Sequence, residues 1–205
     1  MNKKVILLAS GGLDSTTMAY WLLNKGIELI PLFINYGQHC VETEYNTLLD
    51  VLPESSIDNI ETINIADIYK YSKSNFINEA DLWQDEITAD DLYIPYRNIL
   101  ILTVAASFAQ SMGVREVYSA FINSNHAKEI DCSKEFFTKI EKMLDDYGSV
   151  SIKMPFSEMS KLEVARIGIE IKAPIGKTFS CQASSKIPCG ACPNCVDRLE
   201  AIANL

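Results

Sequence analysis

The feature that most constrains this chain is a short loop near its start. Val5-Ile6-Leu7-Leu8-Ala9 is a continuous apolar run, and Ser10-Gly11-Gly12-Leu13-Asp14-Ser15 follows it at once. A run that is apolar at every position reads as a strand buried on both faces, as in parallel sheets. Asp14 to Lys25 then reads as a helix. Met18, Ala19, Leu22 and Leu23 share one face, and Gly26 suits a left-handed stop. The paired glycines let backbone N–H groups approach an anion closely. Ser10 and Ser15 add hydroxyl donors, and the helix turns its positive end to the same spot. The loop lacks the G-K-[ST] ending of a Walker A motif and the G-x-G-x-x-G of a dinucleotide fold. An ordinary strand-to-helix turn is the plain alternative; the serines and the aspartate around the glycines favour a phosphate loop.

The rest of the chain continues the pattern. A second strand is expected around Leu32 to Asn35, with Pro31 at its first residue, where a missing N–H is tolerated. A helix over Glu42 to Leu52, stopped by Pro53, leads to a third strand, Thr62 to Ile65. This β-α-β-α-β order predicts an α/β fold built on a doubly wound parallel sheet. Tyr69 to Tyr93 lacks periodicity and reads as a long excursion, a mobile loop over the site. Further expected elements are a buried apolar helix from Asn98 to Met112 stopped by Gly113, a fourth strand from Val117 to Phe121, and an amphipathic helix from Ser133 to Asp146. Ser160-Lys161-Leu162-Glu163 is a capping box opening a helix to about Ile171. Residues 1–205 read as one domain, with 178–198 as an appended metal-binding segment.

The net charge is −9 and the pI about 4.7. Gripping a nucleic-acid backbone takes clustered Lys and Arg, so nucleic acid is not the expected partner. A small nucleotide needs only a local donor-rich pocket. No run approaches the roughly 20 apolar residues of a membrane helix, and Val5 to Ala9 is too short for a signal core. The chain is expected in the cytoplasm, where thiols stay reduced.

Cys181, Cys189, Cys192 and Cys195 therefore read as a metal site rather than as disulfides. Their C-x7-C-x2-C-x2-C spacing suits tetrahedral Zn²⁺ with every position filled, a structural site. An iron–sulfur cluster and redox-active thiols are the rival readings. Cys40 and Cys132 read as small hydrophobes.

The S-G-G-x-D-S pattern resembles the PP-loop of ATP pyrophosphatases. Further motifs narrow the likeness: Asn35-Tyr36-Gly37-Gln38-His39, Pro95-Tyr96-Arg97-Asn98, Ser160-Lys161, and Thr178-Phe179-Ser180-Cys181 leading into the cysteine knuckle. Together, in this order over nearly the whole chain, they resemble the 7-cyano-7-deazaguanine synthases. The resemblance implies ATP, Mg²⁺ and Zn²⁺ as cofactors. It implies adenylation of 7-carboxy-7-deazaguanine with loss of pyrophosphate, displacement by ammonia, and a second adenylation that drives dehydration to the nitrile. It carries Ser10, Gly11, Gly12, Asp14 and Ser15 over as nucleotide contacts, with the flanking Ala9, Leu13 and Thr16. Asp14, Lys161 and Arg97 become the catalytic candidates. Tyr36, Gln38, Arg97, Asn98 and Asp131 become the substrate contacts, and the four knuckle cysteines the metal ligands. A homodimer is expected. The plain reading of Lys161 and Arg97 is a solvated charge at a helix end, and His39 is open to a structural or a functional reading.

Two places depart from the family. Tyr96 stands where the family's P-G-R-N has glycine, and a tyrosine there can fill part of a pocket. Asn125 to Ile130 precede Asp131-Cys132 where the family has a glycine-tyrosine-proline-aspartate-cysteine-arginine run, so only the Asp-Cys pair of that run remains, followed by Ser133. These leave the ATP and zinc parts intact and bear on the acceptor. One alternative is a relative from an anti-phage cluster that joins a deazaguanine acid to an amine of a partner protein; in it, release of free nitrile is slow or absent. Another is a PP-loop enzyme that modifies tRNA, and a third a non-enzymatic zinc scaffold.

Overall fold

A computed structural model describes residues 3–81, 88–122 and 131–205. Its elements run β1 (Lys4–Leu8), α1 (Leu13–Leu23), β2 (Glu28–Asn35), α2 (Val41–Val51), α3 (Glu54–Ile57), β3 (Glu61–Asn64), α4 (Ala89–Leu92), α5 (Arg97–Ser111), β4 (Glu116–Tyr118), α6 (Lys134–Tyr147), β5 (Ser151–Lys153), α7 (Lys161–Glu170) and α8 (Pro193–Ala203), with single 3₁₀ turns at Ala66–Tyr69 and Ile175–Lys177. The strands form one parallel sheet in the order β3-β2-β1-β4-β5. Chain connections leave β1 toward β2 on one side, while β4 lies on the other. The strand order reverses at that point, which opens a crevice at the carboxyl ends of β1 and β4.

Alternation along β1 builds both cores. Val5 and Leu7 face one side, where they meet Met18, Ala19 and Leu22 of α1, Leu48 of α2 and Val164 and Ala165 of α7. Ile6 faces the other, where Leu102, Ala105 and Ala109 of α5 and Ile140 of α6 lie. A strand covered by helices on both faces must be apolar at every position, which is the pattern read from Val5 to Ala9. Gly168 of α7 allows close approach to α1: a Cβ there would lie 2.8 Å from Thr17 Oγ1.

Several expectations shift. Pro31 sits inside β2, opposite Leu7, rather than at its start. The Leu32 carbonyl accepts from Ala9 N and the Asn35 carbonyl from Ile65 N, so odd-numbered residues of β2 turn their backbone toward β3. Pairing with β3 begins only at Leu32, so the absent N–H of Pro31 costs no ladder bond. Taken with the turn before it (Asp90–Ser111), α5 is long and apolar enough to cross a membrane by composition. Its buried face packs on β1, β4 and β5. In the described part of the excursion from Tyr69 to Tyr93 lies α4, and Asn75 N donates to the Asp91 carbonyl at 2.8 Å; the middle of the expected mobile loop, 82–87, lies outside the described residues. The tail carries a full helix, α8, and β5 adds a fifth strand; neither is evident from sequence pattern. The altered Asn125–Ile130 stretch lies outside the described residues.

Candidate active site

The loop between β1 and α1 is held open by its own side chains. Ser15 Oγ accepts from Ser10 N at 3.3 Å and donates to the Gly12 carbonyl at 3.2 Å, while Gly12 N donates to Ser10 Oγ at 3.4 Å. The first intrahelical bond is Thr16 N to the Gly12 carbonyl, so the N–H groups of Leu13, Asp14 and Ser15 have no acceptor within the helix. Gly11 takes φ +74°, and a Cβ there would lie 2.8 Å from the Glu44 carbonyl and 2.9 Å from Leu48 N. Only glycine lets the loop sit against α2. From the far end of the chain, Phe179 N donates to the Gly11 carbonyl at 3.2 Å.

Asp14 and Lys161 come together here. Lys161 Nζ lies 2.5 Å from Asp14 Oδ2, with only 17% and 21% of the two side chains exposed. The other oxygen, Asp14 Oδ1, is buried with no protein partner. The capping box that begins α7 fixes where Lys161 starts: Ser160 N donates to Glu163 Oε2 at 2.8 Å, and Glu163 N to Ser160 Oγ at 3.3 Å.

Above the loop lie two adjoining chambers of about 290 and 200 Å³. The first is lined by the ends of β1 and β2, by the loop, and by Glu44, Phe179 and Ser180. The second reaches Leu92, Tyr93, Asp131, Cys132 and the first turns of α8. Asp14, Arg97, Lys161, Phe76 and Phe121 line both. The Arg97 guanidinium lies 4.7 Å from the Phe76 ring centre and 6.0 Å from that of Tyr36, within cation–π range. Burial raises the Asp131 carboxyl above the ordinary range, with Arg97 opposing, and pushes the Cys132 thiol up to about 11.

Most residues singled out in the sequence meet at these chambers. Ala9, Ser10, Gly12, Leu13, Asp14, Ser15, Tyr36, Gln38, Arg97, Asn98 and Lys161 line the first, and Asp131 the second. Gly11 and Thr16 support the loop from behind and line neither. Gln38 and Asn98 present walls whose amides are already engaged. Gln38 Nε2 donates to Glu44 Oε2 at 2.9 Å and its Oε1 accepts from Tyr36 N at 3.0 Å. Asn98 Nδ2 donates to the Asp131 carbonyl at 3.0 Å. Tyr96 does not fill the pocket. It is 75% exposed and takes φ +65°, the region that explains a glycine in the family pattern. Sequence reasoning missed Glu44, Phe76, Phe121, Gln182, Asn194 and Asp197, which come from separate segments and carry no motif.

The four cysteine sulfurs lie within 4.8 Å of one another. Backbone N–H groups point at them: Ser184 N and Cys189 N donate to Cys181 Sγ at 3.3 and 3.4 Å, and Cys192 N to Cys189 Sγ at 3.2 Å. Such donors suit thiolates, and the set fits one tetrahedral ion. Cys40 packs in the same cluster. The segment around Cys181 is fastened on three sides. His39 Nε2 donates to the Gln182 carbonyl at 3.0 Å, Thr43 Oγ1 donates to the Ser185 carbonyl, and Ser185 N donates to Glu79 Oε1 at 2.7 Å. From α8, Arg198 donates to Thr178 Oγ1 at 3.2 Å and to the Gly176 carbonyl at 3.0 Å, which ties the knuckle to the strap holding Gly11.

Residues 4–205 match the family model described as QueC, queuosine biosynthesis protein QueC. A 7-cyano-7-deazaguanine synthase of Methanospirillum hungatei is 29% identical over 98% of this chain and 96% of its own length. One from Haloarcula marismortui is 30% identical over 98% and 91%. Among solved structures, a 4-thiouridine synthetase crystallised with RNA and bound ATP superposes with a TM-score of 0.55 at 18% identity, over 98% of this chain and 53% of that one. That likeness is one of fold.

Proposed function

The chain belongs to the QueC family of queuosine biosynthesis proteins, and from that premise we propose that it uses ATP to convert 7-carboxy-7-deazaguanine and ammonia into 7-cyano-7-deazaguanine. The observation that carries the reading is the pair of chambers joined at Asp14, Arg97 and Lys161. One chamber ends in a phosphate loop, and the other has aromatic walls and the size for a flat bicyclic base.

In this reading the polyphosphate lies against the N–H groups of Leu13, Asp14 and Ser15 and the α-phosphorus faces the junction. A carboxylate oxygen of the acid attacks it, the bond to the β-phosphate oxygen breaks, and pyrophosphate leaves. Ammonia then attacks the acyl carbon, loses a proton, and expels AMP to leave the amide. The amide oxygen repeats the attack on a second ATP. Loss of both amide protons with AMP gives the nitrile. Lys161 and Arg97 offset the charge that develops on phosphate and carboxylate, so the protein contributes position and fixed charge. Asp14, with one oxygen buried and unpartnered, fits a magnesium ion, which would clamp phosphate oxygens. Cys181, Cys189, Cys192 and Cys195 suit zinc, which would hold the knuckle in shape.

Incubation with ATP, ammonium and the acid, read by mass spectrometry, tests the reading. AMP, pyrophosphate and nitrile are expected, and Asp14→Ala should lower turnover about a hundredfold or more with the fold retained. ADP and phosphate in place of AMP would overturn the assignment. Adenylate without nitrile, together with a mass shift on another protein, would move the acceptor from ammonia to a protein amine.

A further inference from the structure

The second chamber is shared with the first at the Asp14, Arg97 and Lys161 junction and then continues away from the loop. If the proposed function holds, the carboxylate to be activated lies at that junction. The bicyclic base must then extend into the part of the second chamber that the first does not share. That far part is walled by Leu92, Tyr93, Ile122, Asp131, Cys132 and Asp197. Leu92, Ile122 and Tyr93 offer flat apolar contact. Among the described residues, the charged groups at this end, Asp131 and Asp197, are both carboxylates, which only accept hydrogen bonds when ionised.

A guanine-type base carries two adjacent donors, a ring N–H and an exocyclic amine, on the edge remote from its 7-substituent. An acceptor-rich far wall complements that edge. Asp131 enters this wall from the segment before α6, and Asp197 from α8. Asn194 precedes Asp197 by three residues, so both side chains lie on one face of the helix, and both line the chamber. Asp197 is already engaged within the protein, but a carboxylate has about four lone-pair sites and can serve a ligand as well.

We propose that Asp197 is a specificity-determining residue, accepting hydrogen bonds from the ring N–H and 2-amino group of a guanine-type acid, with Asn194 flanking it. A site built to hydrogen-bond a substrate group discriminates strongly against the analogue lacking it, because its own polar groups are left unpaired.

The test compares the guanine-type acid with the matching acid that lacks the 2-amino group. Wild-type protein and Asp197→Asn, both loaded with metal, are assayed for pyrophosphate release. Wild type should favour the amino-bearing acid by about tenfold or more in kcat/KM. Asp197→Asn should raise KM for that acid by a similar factor, leave KM for ATP within about twofold, and lose the preference. Asn194→Ala should show a weaker form of the same change. Metal content is measured on each variant. Equal use of the two acids by wild type overturns the inference without any variant having to fold. An unchanged preference in Asp197→Asn at full metal content overturns it too. No turnover of either acid by wild type would instead remove the proposed function itself, so the two failures are distinguishable.

Discussion

Glu44 sits on the first turn of α2, half-buried under the first chamber, where its carboxylate accepts from Gln38 Nε2. Burial is the largest influence on it and lifts its pKa from 4.5 to about 7, against the opposing pull of Gln38, the Cys40 thiol and Arg97. The folded chain therefore binds this proton more tightly than the unfolded chain does. Between the unfolded value and about 7, the folded state holds more protons, and stability falls as pH rises. The full shift corresponds to at most roughly 3 kcal/mol. Denaturation measured at pH 5 and pH 8 should show this decline, and Glu44→Gln should flatten it. Identical pH slopes in the two proteins would mean that Glu44 is not the group responsible.

At the scale of elements, α5 starts from a strained residue. Tyr96 precedes Arg97 with φ +65° and ψ 0°, a conformation that costs an L-residue about 1 kcal/mol. Its ring is exposed and recovers little of that by packing. Tyr96→Gly should raise stability in denaturant by up to about 1 kcal/mol and leave both chambers intact. A loss of stability of that size would show that the ring stabilises its surroundings. Helices α1, α5 and α7 were legible because periodicity and end signals agree: an apolar face with Gly26, an apolar stretch with Gly113, a capping box at Ser160. By contrast, β5 has three residues, Ser151–Lys153, too few for a period to register. Helix α8 was masked by the cysteines and the proline at its start. Among site residues, Ser10 to Ser15 and the knuckle cysteines announce themselves by spacing. Glu44, Phe76 and Phe121 do not, because only the winding of the sheet brings their separate segments to one crevice.

Over the whole molecule, the cysteine knuckle joins parts distant in sequence. Through Gln182 and Ser185 it meets His39, Thr43 and Glu79. Through Arg198 and Thr178 it reaches the strap that bonds Gly11. Metal loss should therefore act beyond the tail. One zinc per chain is expected by elemental analysis. Chelation, or Cys192→Ser, should cost at least about 3 kcal/mol of stability and weaken ATP binding as well. Full stability and full activity in metal-free protein, or iron in place of zinc, would defeat this prediction.

The bond from Phe179 to Gly11 and the pairing of Lys161 with Asp14 also bear on the order of synthesis. A ribosome makes the glycine loop, Ser10 to Ser15, before the residues that brace it. The groups that brace it, Lys161 and Phe179, are translated long after it. A nascent chain can pair β1 with β2 and wind α1 long before it can close the loop from behind or neutralise Asp14. If the chain acts as proposed, firm binding of nucleotide is expected only after translation has passed Phe179, so the competence to spend ATP would arrive late in its making.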